Sequence, residues 1–178
     1  MKLYFTTTHA DHKIALLAAL AITIHIIESA FPSPLPGIKP GLANVITLFT
    51  FIKYGWKTAL QVSLLRVIIS SLLLGTFLSP TFLLSLSGAL LSLISLILIQ
   101  LPFRQFSLAE YQPGAVGYAI VASISHMSGQ FLVAWYFFIP HPGLFKLLPI
   151  FITFAVILGL VSGIITQLLI NQIQCEHN

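Results

Sequence analysis

ESAFPSPLPGIKPGLAN, residues 28–44, is the stretch whose reading decides the fold. Glu28 closes one apolar run, a proline cord from Phe31 to Pro40 follows, and Gly41 and Asn44 open the next apolar run. Pro32, Pro34 and Pro36 stiffen an extended segment and Gly37 turns it, so the cord joins two helices without continuing either. Outward from it, the chain is 57% hydrophobic and 7% charged over 178 residues, with a mean hydropathy of +1.00. That leaves too little polar surface to cover a soluble domain. Several apolar runs approach the roughly 20 residues that span a bilayer, so the chain reads as an all-α integral membrane protein. The net charge of +4 is small and its cations are spread along the chain, which is topology information rather than a nucleic-acid footprint.

Apolar runs and their Pro and Gly breakers predict a six-transmembrane-helix bundle in a single membrane domain, residues 1–178. The expected helices are Ile14–Ala30, Gly41–Tyr54, Trp56–Gly75, Pro80–Leu101, Gly114–Phe138 and Phe145–Asn171. The second is short, about 21 Å at 1.5 Å per residue, and a re-entrant segment is its alternative. Charge decides between them. With six spans, Lys2, Lys13, Lys53, Lys57 and Arg104 lie inside, Lys39 and Lys146 lie outside, and Arg66 is within the membrane; a re-entrant second segment weakens this inside bias. Both termini are then cytoplasmic. The cord, the turn Gly75-Thr76-Phe77 and the loop from Ile139 to Gly143 share the outer face, where they are expected to form one lid.

The polar residues inside the spans are the candidates for a site. Arg66 costs roughly 2.5–3.5 kcal/mol at mid-membrane, so it should face the bundle interior, either paired with Glu28 or in contact with a ligand. Glu28 ends the first helix, with solvation at the interface as its plain reading, and His25 one turn earlier reads as a packed or hydrogen-bonded histidine. Ser123, His126 and Gln130 form a stripe on the fifth helix, where a satisfied core histidine competes with an inward, hydrated surface. Glu28, Lys39, Asn44, Arg66, His126 and Gln130 are the expected substrate-binding residues, gathered by one cavity in the outer half. Lys39, Arg66 and the N-terminus of the second helix favour a carboxylate or phosphate on the ligand, against the plainer reading of the cord as a rigid turn with a solvated lysine.

Ala15 and Ala19 form a small-xxx-small pair, and Ser85, Gly88, Ser92 and Ser95 a similar face; both patterns let helices approach closely. His9 and His12 lack a third ligand, so no metal site is expected, and no cofactor motif occurs. Cys175 excludes an internal disulfide. No small-residue cleavage site follows the first apolar run, which is therefore kept as a helix.

At KIALLAALAI (13–22), ESAFPSPLPGIKPGLANVITL (28–48), VSLLRVII (62–69), LLGTFLSPTFLLSLSGALLSL (73–93) and SHMSGQ (125–130), the chain resembles the Gx transporter family, also called the heptaprenyl diphosphate synthase component I family. The departure is Pro40 after Lys39, where the family is associated with leucine. That family is similar to the substrate-binding S components of energy-coupling factor transporters. The resemblance implies a multi-pass protein of the bacterial inner (cytoplasmic) membrane. It also implies a transmembrane T subunit with two ATPases as partners, docked through Ala15 and Ala19. On this basis the expected function is a membrane substrate-binding or transport subunit that captures a small anionic organic molecule, vitamin- or precursor-like, from the outer face. The alternative is a non-catalytic accessory of prenyl diphosphate or quinone synthesis, or of a flavin-linked electron-transfer assembly, with a prenyl synthase or redox protein as partner. Asp11 is the single aspartate, so the paired Asp-rich motifs that hold Mg²⁺ on a diphosphate are missing and the chain cannot run that reaction alone.

Overall fold

The computed structural model describes residues 9–30, 42–105 and 112–175, apart from the side chains of residues 9, 10, 43, 104 and 105. Leu-, Ile- and Ala-rich runs form α1 (His9–Ala30), α2 (Leu42–Tyr54), α3 (Trp56–Leu73), α4 (Pro80–Gln105), α5 (Ala115–Val133) and α6 (Leu148–Cys175). The expected helix order is reproduced, with differences at the ends. The third helix ends at Leu73, not Gly75. The N–H of Gly75 bonds to Leu72 O at 3.2 Å and that of Thr76 to Ser71 O at 2.8 Å, with Gly75 at φ 68, a Schellman stop. α4 continues past Pro102, which forfeits one backbone bond in the last turns. The fifth helix widens after Val133 into a π-helical turn, Ala134–Phe138, closed by Ile139 N–H to Ala134 O at 2.9 Å, and a 3₁₀ turn, Pro142–Leu147, precedes α6.

Among the described residues, five segments are long and apolar enough to cross a membrane: Asp11–Ala30, Trp56–Leu73, Pro80–Phe103, Ala115–Phe138 and Pro142–Cys175. α2 is not one of them. Its 13 residues rise about 20 Å, short of the about 30 Å hydrocarbon layer. Its character is that of an interior helix: every residue from Val45 to Phe51 is buried, as befits a segment that is apolar around its circumference. Outward faces of the long helices expose leucines and isoleucines such as Leu16, Leu72, Ile94, Ile157 and Leu168, a surface compatible with a multi-pass membrane protein.

Gly55 alone separates α2 from α3. Its φ of 86 and ψ of 174 suit glycine, and the chain reverses there into an antiparallel pair. The reversal sets the register: Asn44, eleven residues before Gly55, stands level with Arg66, eleven after it, and the two side chains bond. α1 packs on both members of this pair, α3 on α4, and α2 on α5 and α6. α5 lies between α4 and α6 at close crossings made by glycine. Gly129 faces the Ser87 carbonyl and Gly88 Cα, while Gly159 and Gly163 face Ile120 Cα and Val116 Cα.

The solid core occupies one half of the bundle. Leu48, Phe51, Ala59, Leu93, Leu96, Tyr118, Ala119 and Ala122 join α2, α3, α4 and α5 near the Gly55 reversal, with Tyr118 edge-on to Phe51 at 5.9 Å. Lys13 over the Tyr54 ring and Lys57 over the Trp56 ring mark that end of the molecule. The other half pairs a smaller apolar cluster, Val67, Phe82 and Ala89, with open space.

Candidate functional site

That half holds a cavity of about 430 Å³. Its polar lining comes from five helices: His25 and Glu28 of α1, Asn44 of α2, Arg66 of α3, Thr81 and Ser85 of α4, and His126 and Gln130 of α5. The apolar lining is Val67, Leu84, Met127, Phe131 and Ala134, with Ile139, Leu144 and Phe151 contributed by the turns after α5 and the start of α6. The space therefore has two chemical characters, which suits a molecule with a polar end and an apolar body.

α3 presents Ala59, Val62, Ser63, Arg66, Val67, Ser70 and Ser71 inward, a helical stripe that carries the guanidinium into the bundle. Arg66 is 4% exposed, and its Nη1 donates to Asn44 Oδ1 at 2.7 Å. Ser70 Oγ donates to the Arg66 carbonyl at 2.5 Å. Glu28, 5% exposed, accepts the N–H of Leu42, the first residue of α2, and lies close enough to Arg66 to act on its charge. This corrects the reading of that helix end as an anion site: the anion at the α2 N-terminus is the protein's own carboxylate.

His126 is seated by the α4–α5 crossing. A Cβ on Gly88 would lie 2.8 Å from its Nε2 and 2.9 Å from both Cδ2 and Cε1, so the imidazole occupies the room that the glycine leaves. The Nε2 edge of the ring faces Gly88, and its Nδ1 is buried with no hydrogen-bond partner among the described residues. Arg66 Nε is in the same condition. Arg66 and His25 both lie within electrostatic reach of His126.

Of the six expected binding residues, the structure brings Glu28, Asn44, Arg66, His126 and Gln130 to this one cavity; Lys39 lies outside the described residues. Ser123 departs from its expected stripe and packs against Gly159 of α6, while His25, expected to pack in the protein, lines the space. Ser85 was expected on a packing face and lines it as well. Of the expected lid, Ile139 lines the cavity, the Gly75–Phe77 turn does not, and the cord from Phe31 to Pro40 lies outside the described residues. Thr81, Met127, Phe131, Leu144 and Phe151 were not anticipated; a single apolar residue carries no signal in a chain this apolar. The Gly159-x-x-x-Gly163 spacing was visible and marks the α5–α6 crossing.

Ala15 and Ala19 are exposed on the outward face of α1, opposite buried Ala18 and Ala21. Cys175 is exposed. Among the described residues, no three His, Cys, Asp or Glu side chains gather as metal ligands.

No curated protein and no solved structure matches the chain. The sequence profile of heptaprenyl diphosphate synthase component I matches residues 17–169, which include every described residue of the cavity, and the chain belongs to that family.

Proposed function

We propose that the chain is the ligand-binding subunit of a membrane uptake system. It takes a small organic molecule from the outer face, holds its polar end between Arg66 and His126, and lays its body against Met127, Phe131 and Phe151. The observation that carries this reading is the convergence of Glu28, Asn44, Arg66, His126 and Gln130, from four helices, on one cavity of about 430 Å³. That volume lies within the range of small-molecule sites. Six spans with cytoplasmic termini, the bacterial inner membrane, and a T subunit with ATPases docking on the exposed Ala15 and Ala19 belong to the same proposal. An anionic ligand was expected from Lys39, Arg66 and the α2 helix end. Glu28 now occupies the last of these, which leaves Arg66 as the described cation of the site.

Native mass spectrometry of the purified protein tests the reading. A retained molecule of low mass, lost in Arg66→Ala and His126→Ala while the fold persists, is the expected result, and co-purification of a T subunit with ATPases extends it. An empty protein that takes up nothing from a cell extract refutes it.

The apolar part of the cavity's lining favours a second reading, an accessory that handles an isoprenoid precursor beside a separate catalytic subunit, as the family's name suggests. That reading predicts a retained molecule with a long apolar tail and co-purification with a prenyl synthase or redox protein.

A further inference from the structure

Arg66 points from α3 into the bundle, and the opposite face of the same helix carries a pattern of its own. Lys57, Gln61, Leu65, Ile68 and Leu72 are exposed at i, i+4, i+8, i+11 and i+15, a stripe turned away from the cavity. Because α3 is long and apolar enough to cross a membrane, this stripe meets lipid. Leucine and isoleucine suit that surface. Gln61 does not, since hydrocarbon offers its amide no hydrogen-bond partner.

Its depth supplies the partner. The Gly55 reversal is flanked by exposed Tyr54 and Trp56, side chains that settle at the membrane–water interface. Lys57 Nζ lies 5.7 Å from the Trp56 ring centroid and Lys13 Nζ 5.9 Å from that of Tyr54, so each ammonium rests over an aromatic ring and keeps N–H donors for an anion. Among the described residues, Lys13, Lys53 and Lys57 gather at this end against one acid, Asp11, and the excess of cations is complementary to lipid phosphates. Gln61 stands about 6 Å along the helix from Lys57, within the interfacial layer, about 5–7 Å thick, that separates the phosphates from the hydrocarbon. Glycerol ester carbonyls lie in that layer and accept hydrogen bonds. We propose that the outer face of α3 binds one anionic phospholipid: its phosphate on Lys57 beside Trp56, an ester carbonyl accepting from the Gln61 amide, and an acyl chain along Leu65, Ile68 and Leu72. A partner helix would also satisfy Gln61. However, the small residues Ala59, Ser63, Ser70 and Ser71 of α3 are all buried within the bundle, and the bulky outer face holds a second helix away.

The test titrates the full chain in mild detergent with phosphatidylglycerol or phosphatidylcholine of identical acyl chains and counts bound lipid by native mass spectrometry. One phosphatidylglycerol should bind about fivefold more tightly than phosphatidylcholine, the worth of one lysine at an anionic lipid surface. Lys57→Ala should remove most of that preference. Gln61→Leu should weaken both ester lipids about threefold and leave the preference in place, because both carry the carbonyl it contacts. The wild-type protein gives an independent readout: the dialkyl ether form of phosphatidylglycerol, which lacks that carbonyl, should bind about threefold more weakly than the ester form, and Gln61→Leu should not weaken it further. Equal binding of the two headgroups by the wild type, or a preference that survives Lys57→Ala, overturns the phosphate contact and with it the anionic site. Ester and ether forms bound alike by the wild type overturn the role of Gln61. A dimer that Gln61→Leu dissociates assigns the face to a second copy of the chain and overturns the lipid site as well.

Discussion

Alanine at Gly88 and alanine at Gly129 add the same methyl group to the same helix crossing, and the structure predicts different consequences. At Gly88 the new Cβ falls 2.8–2.9 Å from three atoms of the His126 ring. Carbon contacts are comfortable at about 3.5–4.0 Å, so the ring must retreat by about 0.6 Å or more. It has somewhere to go, because it borders the cavity. The helices then keep their spacing, and the cost is whatever overpacking the ring cannot relieve, about 1 kcal/mol. At Gly129 the Cβ meets the Ser87 carbonyl oxygen at 2.8 Å, its carbon at 3.1 Å and Gly88 Cα at 3.2 Å, all backbone. Backbone cannot rotate aside, so α4 and α5 must separate, and the cost should reach the upper end of the 1–3 kcal/mol typical of overpacked cores. Denaturation by titrating SDS into dodecylmaltoside micelles should rank wild type above Gly88→Ala and Gly88→Ala above Gly129→Ala. Native mass spectrometry should show loss of retained small molecule in Gly88→Ala, whose His126 ring is pushed into the cavity. Equal destabilisation by the two variants, or full ligand retention by Gly88→Ala, would refute the seating of His126 by this glycine.

Asn44→Leu removes the acceptor of the Arg66 Nη1 bond and leaves a buried cation short of a partner; the same SDS titration should show a loss of about 1.5–3 kcal/mol, with Asn44→Asp recovering most of it. Gly55→Ala meets no atom within 4 Å, so its expected cost of about 1–3 kcal/mol is purely conformational, and a variant as stable as wild type would show that the reversal does not need this backbone geometry. Gly163→Ala places a Cβ 2.6 Å from Val116 Cα and should destabilise by about 1–3 kcal/mol. Gly114→Ala, in open space at φ −65, should be neutral or slightly stabilising in the same assay.

Much of the site was legible because ionisable and amide side chains are scarce here. Arg66 had to turn inward, since the lipid side would cost it several kcal/mol, and the same pressure placed Gln130 and His126. Glu28 and Asn44 were legible from their positions at either end of the proline cord. His25 was passed over because a histidine on an apolar helix usually packs in the protein, and Ser123 was included because it shares a helical stripe with His126. The stripe spans more of the helix circumference than the cavity does: His126 lies over Gly88 of α4 while Ser123 turns to Gly159 of α6. Ser85 was assigned to packing by its small neighbours, Gly88 among them, although it sits where α4 leaves the crossing and meets the space.

By itself, the order of residues determined the apolar helices, their breakers and the inward bias of the few polar groups, because each follows from local hydropathy, proline and glycine geometry, and the cost of charge in lipid. It also carried the level pairing of Asn44 with Arg66, latent in their equal spacing from Gly55. Only the tertiary structure decided that Glu28 closes the α2 N-terminus, that the short α2 is buried all round from Val45 to Phe51, and that Phe131, Ile139, Leu144 and Phe151 line the cavity. The reason is geometric. Periodicity sets the angles between side chains on one helix, but the rotation of each helix against the next is set by which small residues meet at a crossing, and that is a property of pairs distant in the chain.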